Sequence, residues 1–248
     1  MKIELLDIKK YFGPVRANDG ITLTVEPGII YGLLGENGAG KTTLMKVLTG
    51  FISADGGEIR VNGEPVNFTS PAESIRHGIG MLHQDPLDFP PLKVMDNLLL
   101  AFEERLVPNR RRARHVLKEL SQRFNFSLDP SARVNTLTVG ERQQLEILRL
   151  LALGAEVIIL DEPTTGISAP QKTLLFATLR RLAKEEGKSV IFVSHKLEEV
   201  EELCDRVTVL RQGKVTGHIE APVSTEQLVH LKFGQSGPKS QRPPVVLG

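Results

Sequence analysis

Residues 35–43 read Gly35-Glu36-Asn37-Gly38-Ala39-Gly40-Lys41-Thr42-Thr43 and follow the apolar run 29–34. They fit the pattern G-x-x-x-x-G-K-[ST], in which a glycine-rich turn joins a buried strand to a helix. Because glycine lacks a Cβ atom, consecutive main-chain N–H groups can curl around a phosphate chain. Lys41 is placed to reach the β- and γ-phosphates, and the Thr42 hydroxyl is placed to bind Mg²⁺. The helical stretch 43–48 argues against a chance match, so the sequence predicts a nucleoside triphosphate site.

The composition limits the class of protein. The chain has 248 residues, 40% of them hydrophobic, so it can bury a large core. The chain has 31 Lys and Arg against 30 Asp and Glu, a formal net charge of +1. This overall charge does not indicate binding to nucleic acid or to an anionic membrane. Cys204 is the single cysteine, which excludes an internal disulfide. Residues 1–5 do not resemble a signal peptide, and no apolar run approaches the ~20 residues of a transmembrane helix. We expect a cytoplasmic protein.

Short apolar runs rich in β-branched residues predict strands at 21–25, 29–34, 157–160, 190–193 and 207–210. Several of them lack polar alternation, as expected for strands covered on both faces. Helical patterns occupy residues 142–153, 171–186 and 197–203. This alternation predicts an α/β fold with a mainly parallel sheet.

Other segments predict additions to this core. Residues 58–66, with an Asn62-Gly63 turn, and residues 207–215 have the pattern of hairpins and predict an antiparallel β element. Residues 87–135 contain the helical stretches 94–106 and 113–124 and predict a helical subdomain inserted between core segments 1–86 and 136–232. Residues 234–248 are rich in Gly, Pro, Ser and Lys, so we expect a linker or tail from about residue 233.

Two acidic residues end one of the predicted strands. Asp161 and Glu162 follow the run 157–160, and parallel sheets bind ligands at the carboxyl edge of such strands. Asp161 is a candidate Mg²⁺ ligand, and Glu162 is a candidate for polarising the water that attacks the γ-phosphate. A pair of acids before a proline-containing loop is also a common surface feature. The phosphate-binding loop makes the functional interpretation the stronger one.

Polar side chains follow two more strands. His195 follows the run 190–193, where it is able to donate a hydrogen bond to the γ-phosphate. The alternative is that Ser194 caps the next helix while His195 is solvated. Gln84, beyond the short apolar strand that starts at Ile79, is able to reach Mg²⁺ or the attacking water. A lone glutamine is weak evidence for either role.

Thr138 and Glu141 form a capping box, T-x-x-E, at the start of a predicted helix. The same helix end is able to bind an anion, because a cap and a phosphate need the same exposed N–H groups. The residues alone leave both interpretations open.

In chain order these elements resemble the ATP-binding module of ABC transporters over residues 2–232. Residues 35–43 match the Walker A loop and residues 157–162 match Walker B. Gln84 matches the Q-loop, residues 138–141 match the signature motif, and His195 matches the switch histidine. The resemblance implies a P-loop NTPase fold that binds and hydrolyses ATP with Mg²⁺, with Thr42, Gln84 and Asp161 near the metal.

The resemblance also implies partners. Such modules pair head to tail, so that ATP lies between one Walker A loop and the other module's signature, which includes Thr138, Gly140 and Glu141. Phe12 matches the aromatic residue that stacks on adenine, with Tyr11 as the competitor. The helical subdomain and the Gln84 region would contact a membrane permease, placing the module at the inner face of the plasma membrane.

Two departures from the family pattern stand out. The signature usually ends in Gly-Gln, whereas Glu141 places a carboxylate there, which weakens phosphate binding unless Arg142 or a partner residue offsets it. The D-loop usually reads Ser-Ala-Leu-Asp, whereas residues 165–168 read Thr-Gly-Ile-Ser. The missing aspartate puts the usual contact between two modules in doubt.

Residues 71–84 resemble the ATPases of simple-sugar and nucleoside importers, which usually carry two modules in one chain. The segment 233–247 resembles a linker leading into a second module. We therefore expect an importer ATPase. We also expect that the sequence is the first half of a tandem ATPase or a truncated piece of such a chain. The sequence does not reveal the transported solute.

Two rival functions remain at this point. A soluble ABC-type ATPase acting on ribosomes or DNA would use Arg105 and the basic cluster 110–114, although such a run is usually a solvated helix face. A module that binds ATP without hydrolysing it is disfavoured by Glu162. We expect no nucleic acid partner.

Overall fold

The computed structural model describes residues 1–84, 88–100 and 109–233. Arg105, the end of the predicted helix 94–106 and the predicted tail 234–248 lie outside these residues. The strands are β1 (Ile3–Phe12), β2 (Val15–Val25), β3 (Ile30–Gly35), β4 (Gly56–Val61), β5 (Glu64–Val66), β6 (Ile79–Leu82), β7 (Val157–Asp161), β8 (Ser189–Ser194), β9 (Arg206–Arg211) and β10 (Lys214–Glu220). The helices are α1 (Lys41–Leu48), α2 (Pro71–Arg76), α3 (Val94–Leu99), α4 (Arg110–Phe124), α5 (Val139–Ala152), α6 (Ala169–Lys184), α7 (Leu197–Leu203) and α8 (Thr225–Phe233).

The strands form two sheets. A six-stranded sheet has the order β10-β9-β3-β8-β7-β6 and is parallel except for β10, which is antiparallel to β9. An antiparallel four-stranded sheet has the order β2-β1-β4-β5. The α/β fold, the parallel sheet and the two antiparallel hairpins predicted from the sequence are confirmed.

The parallel sheet is covered on both faces. Successive side chains of a strand point to opposite faces, and in β7 Ile158 and Leu160 pack with the helices whereas Val157 and Ile159 pack toward the antiparallel sheet and α1. Each face therefore has its own apolar core. The double coverage explains why the central strands show no polar alternation in the sequence.

The inserted helices α3 and α4 lie on the face of the parallel sheet that is covered by α5 and α6. α3 and α4 contribute Val94, Leu98, Leu117 and Phe124 to the same apolar cluster as α5 and α6. The helix predicted at 113–124 begins earlier, at Arg110, because the Asn109 side chain accepts the Arg112 N–H at 3.0 Å and caps it. No helix within the described ranges has both the length and the apolar character needed to cross a bilayer.

One long strand was missed by the sequence patterns. β1 pairs with both β2 and β4, but its registers shift around Asp7, a non-glycine residue with φ 52°. Such a bulge inserts an extra residue and breaks the period-two alternation on which strand recognition depends. Leu5 and Ile8 are both fully buried although they are three residues apart.

Candidate functional site

The phosphate-binding loop joins the end of β3 to the start of α1. Gly40 precedes the helix in a left-handed conformation with φ 99°. A Cβ atom at Gly40 would overlap the main-chain oxygen of Ala17, so no other residue fits there. The Asn18 side chain holds the turn by donating to the Gly40 carbonyl at 3.0 Å. The loop therefore leaves its main-chain N–H groups and the positive end of α1 at one edge of the sheet.

Lys41 lies inside this loop with only 5% of its surface exposed. Its Nζ donates to the carbonyls of Gly35 and Glu36 at 2.8 and 3.0 Å and lies 3.6 Å from Glu162 Oε1. Burial lowers the pKa of Lys41, and the negative charges of Glu162 and Asp161 oppose that shift. A buried ammonium held by two carbonyls is ready to exchange its carboxylate neighbour for a phosphate oxygen.

Asp161 ends β7 and is 1% exposed. Among the described residues its Oδ1 atom has no hydrogen-bond partner. Burial raises the pKa of Asp161, a hydrogen bond with the Thr42 side chain opposes the rise, and the negative charge of Glu162 adds to it. A buried carboxylate oxygen without a donor is the kind of ligand that a hard divalent cation takes. No cluster of three His, Cys, Asp or Glu side chains occurs in the described part of the chain, so the remaining ligands of a cation would be hydroxyl, amide or phosphate oxygens.

Glu162 and His195 form a pair at the ends of neighbouring strands. His195 Nδ1 lies 2.7 Å from Glu162 Oε2, so the imidazole donates to the carboxylate. Glu162 has φ 52°, and its N–H donates to the Val193 carbonyl at 3.0 Å. Its Oε1 is buried and, within the described residues, accepts no hydrogen bond. The carboxylate is therefore oriented by His195 with one oxygen left for a further donor such as water.

Lys41, Thr42 and Glu162 line one open cavity of about 580 Å³, whereas Asp161 and His195 lie behind its wall, next to Thr42 and Glu162 respectively. It is lined by Phe12, Val15, Arg16, Ala17, residues 37–43, Gln84, Glu162 and Gln212. Such a volume suits a small organic ligand. Phe12 is half exposed at the cavity, whereas the hydroxyl of its competitor Tyr11 donates to Asp19 at 3.2 Å and Tyr11 is not among the lining residues. Of the two aromatic candidates, the geometry favours Phe12.

The predicted signature residues lie on a different helix. Thr138, Gly140 and Glu141 are at the start of α5 and, in the described part of the chain, do not line this cavity. The capping box is present: the Thr138 hydroxyl accepts the Glu141 N–H at 3.3 Å, and Glu141 Oε2 accepts the Thr138 N–H and hydroxyl, both at 2.8 Å. The structural role of the two residues is thus confirmed. A nucleotide in the cavity does not meet them within one chain.

Arg142, one of the groups that the sequence left open for offsetting the Glu141 charge, is paired with another carboxylate. The Arg142 guanidinium makes two hydrogen bonds of 2.7 Å with the Asp88 carboxylate, and this charge-assisted pair occupies it. Ser168, which stands where the D-loop aspartate was expected, caps α6 in a capping box with Gln171. Gln171 Nε2 also donates to the Thr138 hydroxyl at 3.0 Å, so the two helix starts are tied together.

The alternative role for Ser194 holds only in part: its hydroxyl accepts the Lys196 N–H at 3.1 Å, but Lys196 itself precedes the first residue of α7. α7 begins after Lys196 without a side-chain cap, and the Ser194 hydroxyl donates to Glu199 at 3.1 Å. Sequence reasoning missed Lys232 of α8, whose Nζ donates to the His195 carbonyl at 2.8 Å. It also missed Arg16 and Gln212 at the cavity. No local sequence pattern marks these three residues, because the elements that carry them come together at the site only in the tertiary structure.

We expect the substitution Asp161→Asn to stabilise the nucleotide-free protein at neutral pH. The raised pKa means that the folded state binds the Asp161 proton more tightly than the unfolded state, so stability falls as pH rises from the ordinary value of 3.8 through the raised value. The uncharged amide of asparagine removes this loss of stability at neutral pH. Because Thr42 and Lys41 already offset part of it, the gain should be about 1 kcal/mol, a rise of roughly 2–4 °C in Tm.

Thermal unfolding at pH 7 and at pH 4 measures this effect. The gain should be present at pH 7 and smaller at pH 4, because the raised pKa favours the protonated carboxyl of the folded state as pH falls. Asp129→Asn is the control, because Asp129 is exposed and hydrogen bonds from Ser131 lower its pKa, so its loss should not stabilise. A lower Tm for Asp161→Asn at pH 7 would show that the carboxylate is well satisfied without a ligand.

The fold and the cavity together define a nucleotide-binding protein of the P-loop class, since a phosphate-binding loop, a buried acid pair and a histidine meet at one sheet edge. The family model described as ABC transporter matches residues 18–165. The chain belongs to the ABC transporter family.

Curated relatives are similar over most of this chain. The ribose import ATP-binding protein RbsA 1 of Rubrobacter xylanophilus is 43% identical over 94% of the chain and 47% of its own length. The glucose import ATP-binding protein TsgD13 of Haloferax volcanii is 40% identical, and the nucleoside import ATP-binding protein NupA of Lactococcus lactis subsp. cremoris is 38% identical. Both matches cover 94% of this chain; they cover 48% of the length of TsgD13 and 47% of the length of NupA. The chain therefore spans about half the length of the curated relatives it matches.

Solved structures share the fold. An ATP-binding cassette of an ABC transporter in its ADP conformation has a TM-score of 0.81 at 25% identity, over 93% of this chain and 98% of that one. A dimeric bacterial ABC transporter cassette has a TM-score of 0.78 at 23% identity, over 90% and 99%. At 23% identity, the similarity to the dimeric cassette shows only that the two chains share a fold.

Proposed function

We propose that this chain is the ATP-binding and hydrolysing module of an ABC importer and that it drives a separate membrane permease. The observation that carries the proposal is the line of contacts from Lys41 through Glu162 to His195 beside the cavity. It joins a phosphate-binding lysine to a carboxylate with an unused oxygen, and phosphoryl transfer to water uses such a lysine and such a water-positioning group. His195 adds a donor that orients the carboxylate.

In this proposal each residue has a separate task. The N–H groups of residues 35–43 and the Lys41 ammonium bind the β- and γ-phosphates, and Phe12 stacks on the adenine. Glu162 Oε1 accepts a hydrogen bond from the attacking water, whose oxygen forms the new bond to the γ-phosphorus while ADP leaves. His195 orients the Glu162 carboxylate through Nδ1, and its other ring nitrogen contacts the γ-phosphate. Gln84, at the same cavity, orients the water.

The same residues fit a magnesium ion. Thr42, Asp161 and Gln84 offer a hydroxyl, a buried carboxylate with an unpaired oxygen, and an amide. Oxygen ligands in small number, completed by phosphate oxygens and water, are what Mg²⁺ prefers. When bound, the ion supplies positive charge against the phosphate oxygens.

The geometry supports a second ABC module as the partner. Thr138, Gly140 and Glu141 stand apart from the cavity, so they meet a nucleotide only in a neighbouring module arranged head to tail. That module is either another copy or the second half of a tandem chain. The tandem arrangement is supported by the length of the relatives, of which this chain spans about half.

The permease partner, the solute and the location rest on the relatives. Those relatives are import ATP-binding proteins for ribose, glucose or a nucleoside. We propose import of a sugar- or nucleoside-like solute, with the module bound to the cytoplasmic side of the membrane through its permease. We also propose the division into a core of residues 1–86 and 136–232, a helical subdomain at 87–135 that contacts the permease, and a linker from residue 233.

Calorimetry with Mg²⁺ and ATP tests the core of the proposal. Folded protein should bind ATP, and removing Mg²⁺ should weaken the binding. Co-purification with an integral membrane subunit would support transport. Binding to DNA or RNA with a steep salt dependence would instead favour the ribosome or DNA alternative. Within the basic cluster 110–114, Arg110 is paired with Asp96 at 2.9 Å, which offsets one of the charges that nucleic acid would use.

The substitution Glu141→Gln should raise ATP turnover of the paired modules. It removes a negative charge from the signature end, where phosphate oxygens of the neighbouring nucleotide must approach. Glutamine is also accepted in the capping box, so α5 should keep its start. With the charge near the surface, the expected gain is about two- to fivefold.

Steady-state ATPase rates of folded wild-type and Glu141→Gln protein measure the gain. Thr138→Val in the same assay is the comparison, since it removes the hydroxyl and should lower turnover. A rate unchanged by Glu141→Gln would show that the carboxylate remains turned back onto the helix start during the reaction.

A further inference from the structure

A buried carboxylate lies beneath the two loops that carry Glu162 and His195. Glu199 of α7 is 4% exposed. Its Oε2 accepts the Thr164 hydroxyl at 2.8 Å and the Ser194 hydroxyl at 3.1 Å. Its Oε1 accepts the Lys196 ammonium at 3.0 Å, so the buried negative charge has a counter-charge and three donors.

These contacts connect the loop after β7 with the loop after β8. Thr164 lies two residues after Glu162, and Ser194 immediately precedes His195. Lys196 strengthens the connection, because its Nζ also donates to the Thr164 hydroxyl at 3.1 Å and its N–H donates to the Ser194 hydroxyl at 3.1 Å. One carboxylate therefore fixes the spacing between the two loops.

Glu162 needs such support. A non-glycine residue with positive φ is strained and persists only where its surroundings hold it. Its hydrogen bond to His195 also requires that both loops stay in place to within a fraction of an ångström. The main-chain bond from Glu162 to the Val193 carbonyl is one restraint, and the Glu199 network is a second.

We propose that Glu199 is a positioning residue of the ATPase site: it holds Glu162 and His195 in register through Thr164 and Ser194. The inference rests on the proposed function, because it assigns the Glu162–His195 pair to ATP hydrolysis. Glu199 does not face the cavity itself. Its loss should therefore lower kcat and leave ATP binding by residues 35–43 intact.

The variants Glu199→Ala and Glu199→Gln test this role. In Glu199→Ala, kcat should fall between about 10- and 100-fold while the ATP dissociation constant stays within about twofold, because misplacement affects the reacting groups and not the phosphate loop. Glu199→Gln keeps an acceptor for the hydroxyls, so its kcat should fall by only about three- to tenfold. Glu198→Gln is the matched control, since this neighbouring carboxylate is exposed, and it should keep wild-type kcat.

Full kcat in a folded Glu199 variant overturns the proposal, and so does an equal loss of kcat and ATP affinity. If Glu199→Ala does not fold, Glu199→Gln decides alone by the same criteria. A cycle with His195→Ala adds an independent readout: Glu199→Ala should cost much less when His195 is already absent, whereas additive losses contradict coupling. Glu162→Gln is measured in parallel. If it keeps wild-type turnover, the proposed function fails, and if it alone abolishes turnover, only the positioning role fails.

Discussion

The substitution Glu162→Gln is expected to lower ATP turnover by about 10²–10⁴-fold, the usual contribution of a general base. The amide has nearly the same shape but cannot take a proton from water. Its carbonyl oxygen still accepts the His195 Nδ1–H, so the pair keeps its geometry. ATP affinity should not fall, because Glu162 carries negative charge beside Lys41 and its removal frees the ammonium for phosphate.

Two measurements check this result: single-turnover hydrolysis and the dissociation constant for Mg-ATP. Glu119→Gln is a suitable control, because it makes the same chemical change on an exposed face of α4 and should leave both quantities unchanged. Turnover close to wild type in Glu162→Gln would refute the assignment of the water-polarising group. Absence of turnover in the wild-type protein itself would instead favour a module that binds ATP without hydrolysing it.

The substitution Lys41→Ala should weaken ATP binding by about 1.5–3 kcal/mol, the range for hydrogen bonds to charged groups, which is roughly 10- to 150-fold in the dissociation constant. Lys41 is the cation closest to Glu162 in the cavity wall, and its Nζ is held by two loop carbonyls at 2.8 and 3.0 Å. Its removal also takes away the positive charge that lies 3.6 Å from Glu162 Oε1 and that acts on Asp161. The phosphates would therefore meet two acids with less positive charge between them.

Titration calorimetry with ATP and with ADP distinguishes the two contributions. The loss should be larger for ATP than for ADP, because the γ-phosphate lies nearest the acids. Lys118→Ala, an exposed lysine of α4, is the control and should bind like wild type. Equal affinity of wild type and Lys41→Ala for ATP would remove the basis of the nucleotide site.

Much of the fold could be predicted from the sequence, because local residue patterns specify these elements. The glycines and Lys41 defined the loop, the unbroken apolar run of β7 indicated a strand covered on both faces, and Thr138 with Glu141 marked the start of α5. The structure confirms these elements to within a few residues. The β1 strand was missed because the bulge at Asp7 interrupts its alternation.

The sequence by itself determined the class of fold, the nucleotide loop and the residue types at the strand ends. Only the tertiary structure decided which of them meet. The order β3-β8-β7 brings Lys41 together with Glu162 and His195, which follow it by more than a hundred residues in the chain. Thr138 and Glu141, at the start of α5, do not line the same cavity. The physical reason is that short-range patterns specify each strand and turn, whereas the neighbours of a strand are chosen by the packing of the whole sheet.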